Sequence, residues 1–274
     1  EVFFKSLDPK RLKGKQLDSL ENSIAERKKE CEALLKLPQV KYTQCYVCGD
    51  RRQDDFFTVF GFDWVTCPNC GHIYKKETAS YEALSEYLRT NTVELYLDEN
   101  DEKYRLENIV KPKFDFMMSF SGSKQPGSWL EIATGVGHMP TLLKENGWKV
   151  RATELNQAFI DFADKKLGVE LEGLLLPDFY EKFKADNEPR FDVVSALGYF
   201  EMLPDPVHHF EMINDMLVQE GLFFINGFNN RSLTFAIEQQ NPDSALRLFT
   251  PANYSYFSLD SWKYALEKTG FELE

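Results

Sequence analysis

The sequence predicts an α/β protein in which a mostly parallel sheet, covered by helices on both faces, follows a small cysteine-rich module. Three observations carry this. Short apolar runs alternate with helical segments beyond residue 127. The first of those runs, Trp129–Ala133, opens into a glycine loop. Four of the five cysteines fall in two Cys-x-x-Cys pairs between residues 45 and 70.

Taken in order, residues 1–40 read as an N-terminal helical segment. Leu17, Leu20, Ile24, Cys31, Leu34 and Leu35 recur at helical spacing among charged residues, and Pro38 ends the helix. Such a face packs on the body of the protein or offers a surface for a partner or a second copy. Residues 41–77 form the cysteine module, with an alternating run at Phe56–Phe62. Residues 78–123 make a connector whose helices are expected over Tyr81–Leu97 and Lys103–Phe120, and the stretch Ser121–Gly127 breaks the pattern. In residues 124–274, strands are expected at Trp129–Ala133, Lys149–Glu154, Phe191–Leu197 and Leu222–Asn226. Helices are expected at Pro140–Asn146, Phe159–Leu167 and Val207–Leu217. Strands alternating with helices at this spacing are βαβ units.

Composition narrows the function. Of 274 residues, 43% are hydrophobic, enough for a sizeable core, and the formal net charge is −12. That acidity weighs against broad contact with a nucleic-acid backbone, which needs clustered Lys and Arg. The pairs Arg51-Arg52 and Lys75-Lys76 are the one basic patch near the cysteines. No apolar run approaches the ~18 residues of a membrane span. Few cysteines, paired two by two, fit a metal site in a reducing compartment, so a cytoplasmic location is expected.

The cysteine pattern is Cys45-x2-Cys48, eighteen residues, then Cys67-x2-Cys70. Each pair lets one tight turn aim two thiolates at one ion, and two turns complete a tetrahedron. Gly49 and Gly71 follow the pairs and relieve the turn's demand for positive φ. A closed four-thiolate site leaves no position for water, so a structural Zn2+ is expected at Cys45, Cys48, Cys67 and Cys70. His72 is expected at the rim rather than on the metal.

The second site is the loop Glu131-Ile132-Ala133-Thr134-Gly135-Val136-Gly137-His138. A strand, a glycine turn and a helix N-terminus together bind a polar ligand at the carboxyl edge of a sheet. Gly135 and Gly137 match the first two glycines of a dinucleotide fingerprint, but Pro140 replaces the third, which disfavours a pyrophosphate. Glu154 ends the next strand, where a carboxylate can accept from both hydroxyls of a ribose. Glu131 can organise the turn or attract a cationic group. Two acids around a glycine loop suit a nucleoside with an amino-acid tail.

These residues resemble the class I S-adenosylmethionine (SAM) dependent methyltransferases, whose first motif, acid-x-Gly-x-Gly-x-Gly, matches Glu131, Ala133, Gly135 and Gly137. The fold this implies is a Rossmann-like methyltransferase sheet with helices on both faces behind a zinc-ribbon-like module. Ala133 stands where the family has glycine, which is tolerable if its φ stays negative. Glu154 matches the ribose-binding acid, and Phe191–Pro206 resembles the fourth strand and its loop. The resemblance spans about residues 105–274, and implies SAM contacts at Glu131, Ala133, Thr134, Gly135, Gly137, Glu154, Leu197 and Gly198. The adenine is expected against Gly173–Pro177 or the Asp178 region. Cysteine knuckles before such a domain resemble sugar C-methyltransferases and related small-molecule enzymes. That group often carries Glu-His after the fourth strand, where this chain has Glu201-Met202. Tyr199 and Glu201 are the candidates for the catalytic pocket, and His208 and His209 are expected as exposed helix residues. Asn226, Asn229 and Asn230 can meet a polyol or form turns. The expected substrate is a small polar metabolite, possibly sugar-like. An RNA methyltransferase and a non-catalytic interaction protein are the competing readings. Gly270–Glu274 reads as the first strand of a terminal hairpin, so the natural chain is expected to continue.

Overall fold

The computed structural model describes residues 20–90, 99–121, 126–233, 235–236 and 249–273. The N-terminal helix, α1, spans Leu20–Leu34 and buries Cys31 and Leu34; Leu17 lies outside the described residues. The cysteine module follows as five short strands: β1 (Gln39–Lys41), β2 (Asp54–Val59), β3 (Phe62–Thr66), β4 (Ile73–Lys75) and β5 (Glu77–Ala79). The run Phe56–Phe62 becomes the β2–β3 hairpin, turning at Phe60 and Gly61, both with positive φ, which matches the twist of the strands.

Helix α2 (Tyr81–Thr90) starts the connector, and the remainder of its expected span lies outside the described residues. Then α3 (Glu99–Arg105), a π-turn at Leu106–Val110 and α4 (Lys111–Ser121) run almost continuously, and Pro112, which has no N–H to donate, sits where the π-turn gives way to α4. Most of the break at 121–127 lies outside the described residues.

The back half alternates β6 (Ser128–Ile132), α5 (His138–Glu145), β7 (Lys149–Ala152), α6 (Gln157–Phe162) with a π-turn at Ala163–Leu167, α7 (Leu176–Ala185), β8 (Phe191–Leu197), α8 (Pro206–Met216) and β9 (Leu217–Asn226). The four strands are parallel in the order β7-β6-β8-β9. Alternation along β6 divides the core. Trp129 joins Phe114 and Met117 of α4 and Leu143 of α5 on one face. Leu130 and Ile132 join Phe179 of α7 and Phe210 of α8 on the other.

Two elements differ from the sequence reading. β9 begins five residues early, at Leu217, because Glu220 takes φ 59° and a bulge restores the register before Leu222. Residues 271–273 form no strand; Phe271 packs instead against Phe223 and Phe210.

The ribbon sheet has the order β10-β4-β3-β2, and β10 is Ser255–Tyr256, just before α9 (Leu259–Lys268). The cysteine module and the methyltransferase-like sheet thus share a stretch of chain. Lys75 seals this junction. It is 1% exposed, its Nζ donates to the Pro251 carbonyl at 2.5 Å, and it lies 3.9 Å over the Phe62 ring. Burial pushes its amine down to about 7. No described helix is long and apolar enough to cross a membrane.

Candidate functional site

The glycine loop leaves β6 at its carboxyl end, where ligands collect in open parallel sheets. Gly135 and Gly137 have φ 65° and 88°, and Gly137 is the N-cap of α5. A Cβ on Gly137 would lie 3.0 Å from the Ala163 methyl, whereas one on Gly135 would meet nothing within 4 Å. Ala133, expected to keep a negative φ, has φ 53°. The loop keeps the conformation that glycine serves and carries the methyl in it, at a cost of about 1–2 kcal/mol. Ala133→Gly removes this strain but enlarges the unfolded ensemble, which returns ~0.4–1 kcal/mol. The expected result is a Tm raised by a degree or two on thermal melting; an unchanged or lower Tm would contradict the strain.

Glu154 is the hub of the loop. Its carboxylate accepts from the backbone N–H groups of Gly135 (2.7 Å), Leu155 (2.8 Å) and Asn156 (2.9 Å). A carboxylate has about four acceptor positions, so capacity remains for a ligand hydroxyl. Burial raises its pKa against the pull of those three donors. Thr134 Oγ1 is buried with no hydrogen-bond partner among the described residues. An orphaned hydroxyl, open space over Gly135 and a carboxylate with spare capacity together fit a nucleoside-bearing cofactor.

Glu131 is 2% exposed and lies on the α4 face of the sheet. The Ser195 hydroxyl donates to it, and Trp129 Nε1 donates to Ser195 Oγ at 2.6 Å. Desolvation holds its pKa well above the carboxylate range, partly countered by Lys113. Leu197 ends β8 beside this loop and Gly198 follows it at φ 75°. The expected adenine segment divides: Gly173–Leu175 is loop, and Leu176 onward is α7. Arg89 of α2 donates to the Gly173 carbonyl, and Asn156 Nδ2 donates to the Leu88 carbonyl, so α2 caps this end of the site.

Tyr199 and Glu201 follow β8 but point apart. Tyr199 is buried beside Tyr81 and His209. His209, expected to be exposed, is 4% exposed; its Nδ1 bonds the Asp205 carbonyl at 2.8 Å, and its Nε2 has no partner among the described residues. Burial pushes its pKa down to about 4. His208 is exposed as expected. Glu201 Oε1 accepts from the Phe228 N–H at 2.9 Å, its backbone carbonyl accepts from Tyr254 N–H at 2.7 Å, and Oε2 has no partner among the described residues. A Cβ on Gly227 would come within 2.5 Å of Glu201 Oε1, so only glycine lets this loop close on the carboxylate. Asn229 accepts from Arg231 N–H, and Asn230 Nδ2 donates to the carbonyls of Gly71 and Tyr256, which spends both on turns and docking.

The four cysteine sulfurs lie within 4.8 Å of one another. Cys45–Cys70 and Cys48–Cys67 are 3.6 and 3.5 Å apart. A tetrahedron with metal–sulfur bonds of ~2.3 Å has edges of about 3.8 Å, so this cluster can hold a metal. His72 is not at the rim: it is fully buried among Tyr46, Tyr74 and Phe257, and burial lowers its pKa to about 3. Of the expected basic patch, Lys75 is buried and Arg52 pairs with Asp50, while Arg51 stays exposed.

Sequence reasoning missed Lys113, Tyr81 and the burial of His209. The spacing of Phe114 and Met117 was the available signal for the face of α4 on which Lys113 borders.

The chain is 26% identical over 133 residues to the ubiquinone biosynthesis O-methyltransferase of Pseudoalteromonas translucida (strain TAC 125), covering 47% of this chain and 52% of that protein. The chain thus spans about half the length of the curated relative it matches. The magnesium protoporphyrin IX methyltransferase of Synechocystis PCC 6803, solved with bound SAH, superposes with a TM-score of 0.50 at 11% identity over 71% of this chain and 91% of its own. A SAM-dependent methyltransferase from Archaeoglobus fulgidus has a TM-score of 0.49 at 18% identity, over 63% of this chain and 72% of its own. Residues 102–274 match the family described as a methyltransferase domain, and with well over half of its length in that match the chain belongs to this family.

Proposed function

We propose that this chain is a SAM-dependent methyltransferase, of the EC 2.1.1 class, acting on a small molecule, with the four cysteines holding a structural zinc. The observation that carries the cofactor reading is the Glu154 carboxylate tied to the Gly135 N–H at 2.7 Å beneath an open loop. Gly135, Gly137 and Thr134 form the cradle, and Ala133 sets its entry. Glu154 takes the ribose, while Leu197 and Gly198 line the methionine side. Glu131 orients the first strand from beneath through Ser195.

SAM, when bound, supplies a methyl on a sulfonium leaving group. The work left to the protein is to hold the acceptor in line with that methyl and to exclude water. Tyr199 walls the far end of β8, and Glu201 fixes the loop that follows β9. The sugar-like acceptor expected from the sequence would have to be met without Asn230, whose amide already donates to two carbonyls.

Titration calorimetry is the test. SAM is expected to bind in the micromolar range and NAD not at all; NAD binding without SAM binding would overturn the assignment. Metal analysis is expected to give about one zinc per chain from four thiolates.

A further inference from the structure

Beside Leu197, a cavity of about 260 Å3 opens at the carboxyl ends of β8 and β9. Its walls are Phe116 and Met117 of α4 on one side and Leu197 and Phe224 of the sheet on the other. Lys113 and Asn226 are the polar groups at its border. Phe116 is 61% exposed and packs on Phe120, so an aromatic surface leads into the cavity from outside.

The position is the first part of the argument. Acceptors of an open parallel sheet lie beyond the carboxyl ends of its strands, and this cavity touches the strand that leads into Leu197 and Gly198. Its chemistry is the second part. A polyol would leave most of its hydroxyls without partners against Phe116, Met117 and Phe224, each at the desolvation cost of an unmet polar group. A planar apolar body fits these walls, and the volume suits one ring with small substituents.

The charge is the third part. Among the described residues no ion pair within 4 Å ends on Lys113. Burial lowers the Lys113 amine from its ordinary value, Glu131 from β6 opposes that shift and Arg105 from α3 adds to it, so an anion placed beside the amine would hold it as the ammonium. Glu131 is held toward its neutral acid form by burial and is already bonded to Ser195. The lysine therefore faces the cavity without a compensating carboxylate, in a low-dielectric wall where an added anion would gain most.

We propose that the acceptor is a phenol-class compound, with its ring between Phe116 and Phe224 and its oxygen toward Lys113. This deepens the methyltransferase reading and rests on it. The phenol has a pKa of about 10 in water and loses its proton to solvent on binding, because the ammonium stabilises the phenolate. The phenolate oxygen then attacks the methyl carbon, an O–C bond forms, the C–S bond breaks, and its electron pair stays on sulfur. Anion and sulfonium become a neutral methyl ether and a neutral thioether. This arrangement needs no general base from the protein.

The test uses 4-nitrophenol, whose phenolate absorbs visible light, added to the full chain saturated with SAM under a pH where the free phenol is mostly protonated. Binding is expected to increase the phenolate band. Lys113→Met is expected to abolish the increase while the probe still binds, and Phe116→Ala to weaken binding about tenfold. Methyl glucoside is not expected to compete. SAM affinity, measured separately by calorimetry, is expected to stay within about threefold in both variants. Competition by methyl glucoside, an undiminished phenolate band in Lys113→Met, or absence of probe binding while SAM binds normally would each overturn the proposal. Failure of SAM itself to bind would instead strike the reading on which the proposal rests.

Discussion

Gly135→Val is expected to weaken SAM binding at least a hundredfold while the protein stays folded. The two effects separate because of what surrounds the residue. A Cβ at Gly135 meets no protein atom within 4 Å, so valine displaces nothing in the core. The fold loses only the cost of a β-branched residue at φ 65°, about 1–2 kcal/mol, which lowers Tm by several degrees at most. The new methyls, however, fill the space above the Glu154 carboxylate, whose tie to the Gly135 N–H they also disturb. A hundredfold loss corresponds to ~2.7 kcal/mol of binding energy. Calorimetry with SAM and a thermal melt on one preparation check both halves. A valine variant that binds SAM within threefold of the parent would show that the cofactor does not lie over this loop.

Removing the metal, by chelation or by Cys45→Ser with Cys67→Ser, is expected to lower Tm by more than 10 °C and to be felt well outside the cysteine module. Cys67 and Cys45 are 0% and 2% exposed, so serine would leave unmet hydroxyls in an apolar core. Structural zinc in small modules contributes on the order of 10 kcal/mol, which exceeds any single core contact. The path outward is explicit. Ser258 Oγ donates to the Cys70 carbonyl at 2.8 Å and Asn230 Nδ2 to the Gly71 carbonyl at 2.9 Å. The same stretch of chain gives Glu201 its two backbone donors, Phe228 and Tyr254. Hydrogen exchange at those two amides is therefore expected to speed up when the metal leaves. Unchanged protection at both, with Tm intact, would mean that the cysteines stabilise nothing beyond their own turns.

The parts of this molecule that read well from sequence are those set by local pattern. β8 runs over Phe191–Leu197 because an apolar stretch bounded by Arg190 and Gly198 can only be a strand buried on both faces. The cysteine cluster follows from spacing alone, since two tight turns bring their thiolates to one point. Helix α7 was legible in principle, since Leu176, Phe179 and Phe183 fall on one helical face and are buried. Other features are tertiary decisions. A positive φ at Ala133 is imposed by the turn between β6 and α5, against the residue's own preference. His209 is buried because Tyr81 and Tyr199 arrive from other parts of the chain. β10 is two residues long and exists only because β4 offers it an edge, 181 positions earlier at the Ser255–Tyr74 pair. Lys113 has no motif at all; its surroundings are set by its own burial and by Glu131 and Arg105, which arrive from other elements.

The shared edge between β4 and β10 also fixes an order of events during synthesis. Both Cys-x-x-Cys turns leave the ribosome long before Ser255 and Tyr256 do. At ~5–20 residues per second, the interval is roughly ten to forty seconds. Through that time a nascent chain could take up a metal at the four cysteines, yet Ile73–Lys75 presents unpaired N–H and C=O groups along one side. The Lys75 ammonium, which ends against the Pro251 carbonyl in the finished protein, is then still in water. A charge at an open strand edge discourages pairing with other chains. The lysine that later locks the ribbon to the methyltransferase domain thus guards the same edge while its proper strand is still being made.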